Sequence, residues 1–365
     1  MKITRFEVAE LNIGLKKPFI TSLRRVDKVN DIIIKIYTDT ALVGYGEACA
    51  VTAITGTTNA SVIEELTQNI FPSIIGQEID IQDIFERLHR SSSNSEAKAC
   101  VDIALYDLLA KEKGIPLFSY LGSHTNTLST DLTISVSDTS KMCQDTLEAL
   151  DSGFKSLKIK LDADADLNIQ RLNKIIELLP TDINLRLDPN QALSLDTALH
   201  MLERIDTTKI ECIEQPFKAD DLSSLKNLTL QKIVPTLADE SIFNSKDAHN
   251  LLENNIADML NIKLMKSGGI YEAIKISAIA KNHKKRCMIG SMLEGPISLL
   301  AAAHFGLSEE NVTMADLDSP LYLKEHPLLE PFHLHKDEIC LSSEPGLGID
   351  TIMNRLDLFQ VPLYS

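Results

Sequence analysis

The stretch LKIKLDADADLNIQRLNKIIELLPTDINLRLDPNQ, residues 157–191, decides the fold. It opens on a short apolar run, Leu157-Lys158-Ile159-Lys160-Leu161, and closes on a second, Asn184-Leu185-Arg186-Leu187-Asp188. A helical pattern fills the space between. Strand, helix, strand over about 30 residues is one parallel β/α unit. The same rhythm recurs on both sides of it. Strand candidates fall at 131–136, 157–161, 184–188, 210–214, 234–239, 258–263, 286–291 and 312–316. Eight strands alternating with helices predict a closed parallel barrel over 126–324.

The residues that end these runs carry the chemistry. They are Lys160, Asp188, Glu214, Asp239, Lys263, Ser291 and Asp316, spaced by 24 to 28 residues, one unit at a time. In a barrel the C-terminal ends of the strands form the mouth, where active sites sit. Three consecutive strands would set Asp188, Glu214 and Asp239 side by side. Carboxylates that close repel one another unless a cation sits among them. All-oxygen ligands suit Mg2+, with Mn2+ as the alternative. Side chains alternate along a strand, so Lys158 shares the face of Lys160, and Asp318 that of Asp316. A single carboxylate at a strand end is ordinarily a solvated loop residue or a helix cap. It is the near-constant period of the whole set that argues for a site.

The first 125 residues read differently. Residues 2–12 alternate, with Ile3, Phe6, Val8 and Leu11 apolar, and 31–38 form a β-branched run. Val43-Gly44-Tyr45-Gly46-Glu47 closes another strand. Pro18 to Arg25 reads as a loop carrying two cations, Arg24 and Arg25. A helical pattern follows Ser95, the expected N-cap. Strands followed by helices predict an α+β domain over 1–125. The tail, 325–365, contains Pro345-Gly346-Leu347-Gly348-Ile349 and is expected to pack back on that domain.

Composition narrows the function. Hydrophobic residues are 44% and charged residues 24%, the usage of a folded chain rather than a disordered one. The net charge of −16 opposes binding to nucleic acid or to anionic membranes. The N-terminus has no signal-peptide core, and no apolar run reaches membrane-spanning length. Six scattered cysteines without metal spacing read as reduced thiols, and the expected location is cytoplasmic.

On its motifs the chain resembles the enolase superfamily, within it the muconate-lactonizing subgroup, and most closely the dipeptide epimerases. Lys158-Ile159-Lys160 is similar to the subgroup's Lys-x-Lys strand. Asp188-Pro189-Asn190 resembles its first metal-ligand strand, with Pro189 where alanine is usual. Ile213-Glu214-Gln215-Pro216 and Ala238-Asp239-Glu240-Ser241 look like the second and third. Asn261-Ile262-Lys263-Leu264-Met265-Lys266-Ser267-Gly268-Gly269 is similar to the sixth-strand lysine segment. Gly290-Ser291-Met292-Leu293-Glu294 and Asp316-Leu317-Asp318 resemble the last two strands, and the Asp-x-Asp pair is the discriminating feature.

The resemblance implies an α/β fold, a modified TIM barrel of the (β/α)7β kind under an N-terminal α+β cap. It implies Mg2+ held by Asp188, Glu214 and Asp239. The implied reaction is epimerisation at the α-carbon of a dipeptide's C-terminal residue, through an enediolate. Lys160 and Lys263 would act from opposite faces of that carbon, with Lys158 beside them. Neighbouring cations favour the neutral form that a lysine base needs. Asp316 and Asp318 would hold the substrate ammonium. Thr133, Ser291, Met292 and Glu294 would line the substrate. Arg24 would meet a glutamate side chain, which its planar fork suits, with Ile54-Thr55-Gly56 as the other cap loop. Ala-Glu specificity would imply murein peptide recycling, and members of the fold family often form homo-oligomers.

Rival readings stay open. N-acylamino acid racemase, o-succinylbenzoate synthase and muconate cycloisomerase share the lysines and metal but do not need the Asp316/Asp318 pair. A Schiff-base aldolase needs one lysine in an apolar pocket and no carboxylate triad. A non-catalytic solute-binding protein would usually carry an export signal.

Overall fold

The computed structural model describes residues 1–20, 25–356, 358 and 359, with residues 18–20 and 25 described through their backbone alone. Three strands open the chain: β1 (Ile3–Ile20), β2 (Arg25–Thr38) and β3 (Val43–Ala48), paired antiparallel in that order. Residues 18–20 and 25, expected in a loop, belong to strands instead. The β1–β2 ladder shifts register between Gly14 and Phe19, then resumes at Phe19 and Ile20 opposite Val26 and Arg25. Proline, lacking an N–H, is tolerated where a ladder is interrupted. Arg24 lies outside the described residues.

Ile32, Ile33 and Ile34 are all fully buried, so this sheet is covered on both faces. One cover is the helix Ser95–Lys113. Gly44 and Gly46 allow it to lie close: a Cβ on Gly46 would stand 1.8 Å from the carbonyl oxygen of Cys100. The helix begins one residue earlier than expected. Asn94, extended at φ −72° and ψ 111°, is the N-cap and accepts from the N–H of Ala97.

The barrel strands follow a short strand, β4 (Thr127–Ser129). They are β5 (Leu132–Ile134), β6 (Ser156–Lys160), β7 (Asn184–Asp188), β8 (Ile210–Glu214), β9 (Thr236–Ala238), β10 (Met259–Ile262), β11 (Cys287–Gly290) and β12 (Val312–Asp316). They pair in chain order, every neighbour parallel. β12 meets β5 through the N–H of Asp131, 3.2 Å from the Ala315 carbonyl, and the N–H of Leu317, 2.9 Å from the Thr130 hydroxyl. The predicted runs 131–136, 234–239, 258–263 and 286–291 are longer than their strands, the other four match theirs in length, and Lys263 falls just past β10 as the residue before a short helix, Leu264–Ser267.

A helix of eight or more residues follows each of the first seven barrel strands, and β12 is followed by a single helical turn, Ser319–Tyr322, so the architecture is (β/α)7β. The chain then forms a hairpin, β13 (His333–His335) and β14 (Glu338–Cys340), that pairs with β4. The tail returns to the C-terminal end of the helix Ser95–Lys113. Gly346 bonds Ile115 and Leu117, and the N–H of Leu347 reaches Asp107 at 2.8 Å.

Buried polar contacts join the N-terminal sheet to the barrel. Asp31 accepts from the N–H of Gly295 at 2.8 Å, and Glu47 from the N–H of Ser298 at 2.9 Å, at the start of the helix Pro296–Ser308. Carboxylates suit a helix N-terminus. Asp102 does the same for the helix Ile270–Asn282, accepting from Ile270 at 2.6 Å and Tyr271 at 3.2 Å. Among the described residues no helix is long and apolar enough to cross a membrane.

Candidate active site

Strand alternation and the barrel twist bring the end residues to one mouth. Lys158 and Lys160 both point inward from β6, 1% and 7% exposed. Lys158 and Lys160 stand opposite Arg186 and Asp188 on β7 in register. Asp188, Glu214 and Asp316 are the last residues of their strands, and Asp239, Lys263 and Ser291 come directly after theirs.

Each lysine is paired. Lys160 Nζ lies 2.6 Å from Asp188 Oδ2 and 3.0 Å from Asn190 Oδ1. Lys158 Nζ sits between three carboxylates, 2.9 Å from Asp188, 2.7 Å from Glu214 and 2.7 Å from Asp316. Lys263 Nζ is 2.8 Å from Asp239 Oδ2, and Lys266 holds the other oxygen and the carbonyl of Asp239. β6 and β10 are four strands apart in a ring of eight, so Lys160 and Lys263 face each other across the mouth.

The carboxylates want more positive charge than they have. Burial pushes Glu214 up to about 7, and Asp188 beside it adds to the rise. Burial pushes Glu240 up to about 8, with Asp239 next in effect. Both Glu240 oxygens are buried with no hydrogen-bond partner, and so is Glu214 Oε2, whose 2.7 Å contact with Lys158 is an ion pair without hydrogen-bond geometry. Asp188 is different: burial raises it, but Lys158 and then Lys160 outweigh burial and hold it at about 2. The carboxylates around Lys263, Asp239 foremost, outweigh burial and hold its ammonium protonated.

An all-oxygen set with unpartnered buried oxygens fits a hard divalent cation. Asp188, Glu214 and Asp239 are neighbours by strand, yet ammonium groups lie among them. They are not gathered to the spacing at which one atom from each stands within 4.8 Å of the others; Asp131, Asp316 and Asp318 are. In that second group Asp131 is already bonded by Arg186 at 2.8 Å and Asp316 by Lys158 at 2.7 Å. Among the described residues, Asp318 is bonded only by neutral donors. It accepts from the Thr133 N–H at 2.7 Å and lies 3.0 Å from the Tyr322 hydroxyl. Burial, then Asp316, pushes it up to about 6.

A cavity of about 60 Å3 opens at this place. Lys160, Lys263, Asp316 and Asp318 line it with Thr133, Ser291 and Met292, and Ile54 roofs it from the N-terminal domain. Glu294 does not line it. Its side chain turns back to accept from the Met292 N–H at 3.0 Å, and burial raises it to about 8.

The loops are stitched together by a residue the motif reading passed over. Gln215 adopts φ 33°, and its side chain accepts from the N–H groups of Asp239 at 2.9 Å and Ser241 at 3.1 Å. Its carbonyl takes the N–H of Gln191, itself at φ 68°. Left-handed backbone at non-glycine residues is costly and persists where the surroundings over-determine it, as at active sites. Asn190, Glu240 and Lys266 are also inside the quoted motifs, one to three residues from the site candidates Asp188, Asp239 and Lys263. Asp131 shares a strand face with Thr133, which alternation could have revealed. Nothing local marks Tyr322.

Residues 141–354 match the enolase C-terminal domain-like family, and residues 3–122 match the N-terminal domain of mandelate racemase and muconate lactonizing enzyme. The chain is 40% identical over 358 residues to the L-Ala-D/L-Glu epimerase of Clostridium acetobutylicum, covering 97% of this chain and 100% of that one. It is 38% identical to the hydrophobic dipeptide epimerase of Enterococcus faecalis, covering 96% and 99%. Among solved structures, the E. faecalis dipeptide epimerase complexed with Mg and L-Leu-L-Tyr superposes at a TM-score of 0.92, with 37% identity, 95% of this chain and 99% of that one covered. The substrate-liganded L-Ala-D/L-Glu epimerase of Bacillus subtilis superposes at 0.91, with 36% identity and 95% and 98% covered. Matched along both its domains and at this level of identity, the chain belongs to the mandelate racemase and muconate lactonizing enzyme family of the enolase superfamily.

Proposed function

We propose that this protein is an isomerase, a dipeptide epimerase that inverts the α-carbon of the C-terminal residue. One observation carries the reading: two buried lysines oppose each other across a cavity whose wall also presents Asp316 and Asp318. Asp316 and Asp318 hold the substrate ammonium and so fix where the α-carbon of the second residue falls. Lys160 and Lys263 stand on its two faces. One takes the α-proton, and the other, already an ammonium, returns a proton from the far side. Lys158 keeps the Asp188, Glu214 and Asp316 carboxylates in place. Asp188, Glu214 and Asp239 are the proposed ligands of Mg2+, which when bound offsets the negative charge that develops on the substrate carboxylate. Mn2+ is the alternative ion.

Relatives named for L-Ala-D/L-Glu and for hydrophobic dipeptides match at nearly equal identity, so two side-chain specificities compete. We favour Ala-Glu with Arg24 as the partner of the glutamate carboxylate. On that reading the enzyme recycles murein peptides in the cytoplasm. We further propose a domain boundary near residue 125, with 325–365 returning to the cap, and a homo-oligomeric state. A dipeptide screen in D2O with Mg2+, read by mass spectrometry, tests the function. Deuterium uptake at one α-carbon is expected, strongest with Ala-Glu. Uptake strongest with hydrophobic dipeptides selects the other specificity. Uptake with N-acylated amino acids and none with dipeptides overturns the epimerase reading.

A further inference from the structure

A second cluster of ligating side chains lies at the opposite end of the barrel. His249 and Glu253 stand one turn apart on the helix Ser245–Glu253, and so share one face. His283 is the C-cap of the helix Ile270–Asn282, in the next β/α unit. Helices of such units run against their strands, so both helix C-termini lie away from the mouth. One ligand atom from each of the three residues is within 4.8 Å of the other two. His283 Nε2 is 3.8 Å from Glu253 Oε2, and the two imidazole rings have centroids 6.4 Å apart.

We propose that His249, Glu253 and His283 form a binding site for a divalent transition-metal ion such as Zn2+, clamping two successive helices on the outside of the barrel. Two imidazoles, which are borderline ligands, with one carboxylate oxygen suit zinc better than magnesium. A point equidistant from three atoms 4.8 Å apart is about 2.8 Å from each, against zinc bonds of roughly 2.0–2.2 Å. Closing that gap takes less than about 1 Å of movement per ligand atom. His249 and Glu253 are exposed and His283 is half-buried, so their rotamers allow it. Two of the lysines flanking His283 are engaged elsewhere: Lys281 is paired with Glu310 at 3.0 Å and Lys285 with Asp258 at 3.1 Å. The fourth position is left to water, and no role in the barrel-mouth chemistry is assigned to the ion.

The test is calorimetric titration of the full chain with Zn2+ in excess Mg2+, which occupies the oxygen ligands at the mouth. One zinc per chain is expected, with a thermal midpoint that rises with zinc concentration. Even a partner behind a metal ligand is worth about tenfold in affinity, so His249→Ala and His283→Ala should each weaken binding by at least that factor. Epimerase activity in Mg2+ and the midpoint without zinc should stay as in the parent protein. No zinc binding in excess Mg2+, or equal binding by the His249→Ala/His283→Ala double variant, overturns the site.

Discussion

Asp318→Asn isolates the charge proposed to recognise the substrate amine. Asp318 is 5% exposed, and its Oδ2 takes the Thr133 N–H at 2.7 Å. An asparagine keeps a carbonyl acceptor there, so the fold should stand. What disappears is the negative charge. Asp316 is already bonded to Lys158, which leaves Asp318 as the carboxylate of the pair with no cationic partner among the described residues. A hydrogen bond to a charged group is worth roughly 1.5–3 kcal/mol and a neutral one roughly 0.5–1.5, so the loss is about 1–2 kcal/mol. That is about 5- to 30-fold in kcat/KM. The assay compares kcat/KM for a dipeptide and for its N-acetylated form, which has no ammonium. Asp318→Asn should lower the first and spare the second. The parent's kcat/KM for the dipeptide should also fall as pH drops through about 6, where Asp318 takes up a proton, and the variant should lack that limb. Equal losses with both substrates would refute the assignment.

Lys160→Ala and Lys263→Ala should each slow epimerisation by about a hundred- to ten-thousand-fold, the usual worth of a general base. Each variant should still exchange the α-hydrogen of one epimer with D2O, a different epimer for each, and exchange of both epimers by either single variant contradicts opposed bases. Glu47, raised from 4.5 to about 7 chiefly by burial, binds its proton more tightly in the folded state. Its contribution to stability is therefore full below pH 4.5 and lost as pH rises through about 7; Glu47→Gln should flatten the fall of Tm with pH across that window, and an unchanged slope counts against it. Gly46→Ala would drive a Cβ to within 1.8 Å of the Cys100 carbonyl, which should cost about 3 kcal/mol or more of stability, measured by urea unfolding; a loss under about 1 kcal/mol would mean the helix can retreat from the sheet.

The barrel was legible because it rests on a period. Strands of a parallel sheet are apolar on both faces, and the charged residues that break the apolar run mark where each strand ends. Lys160, Asp188, Glu214 and Asp316 stand at the ends of their strands for that reason. What a period cannot convey is where a side chain turns after the strand stops. Glu294 is three residues beyond Ser291, yet it folds back on the Met292 N–H while Ser291 faces the cavity. Gln215 reaches Asp239, 24 residues away, and the Tyr322 hydroxyl lies 2.9 Å from the Thr133 carbonyl, 189 residues away, contacts that no local pattern carries. The spacing of the carboxylates also lies beyond the pattern. Adjacent strands bring Asp188, Glu214 and Asp239 near one another, but where lysine ammoniums lie among them, how closely they gather depends on the ion they would share. The opposition of the two lysines is a different matter. Lys160 ends the second strand and Lys263 follows the sixth, and half of eight is a half-turn, so counting strands alone sets them face to face. The proposed two-face chemistry thus depends on strand number rather than on any side-chain conformation.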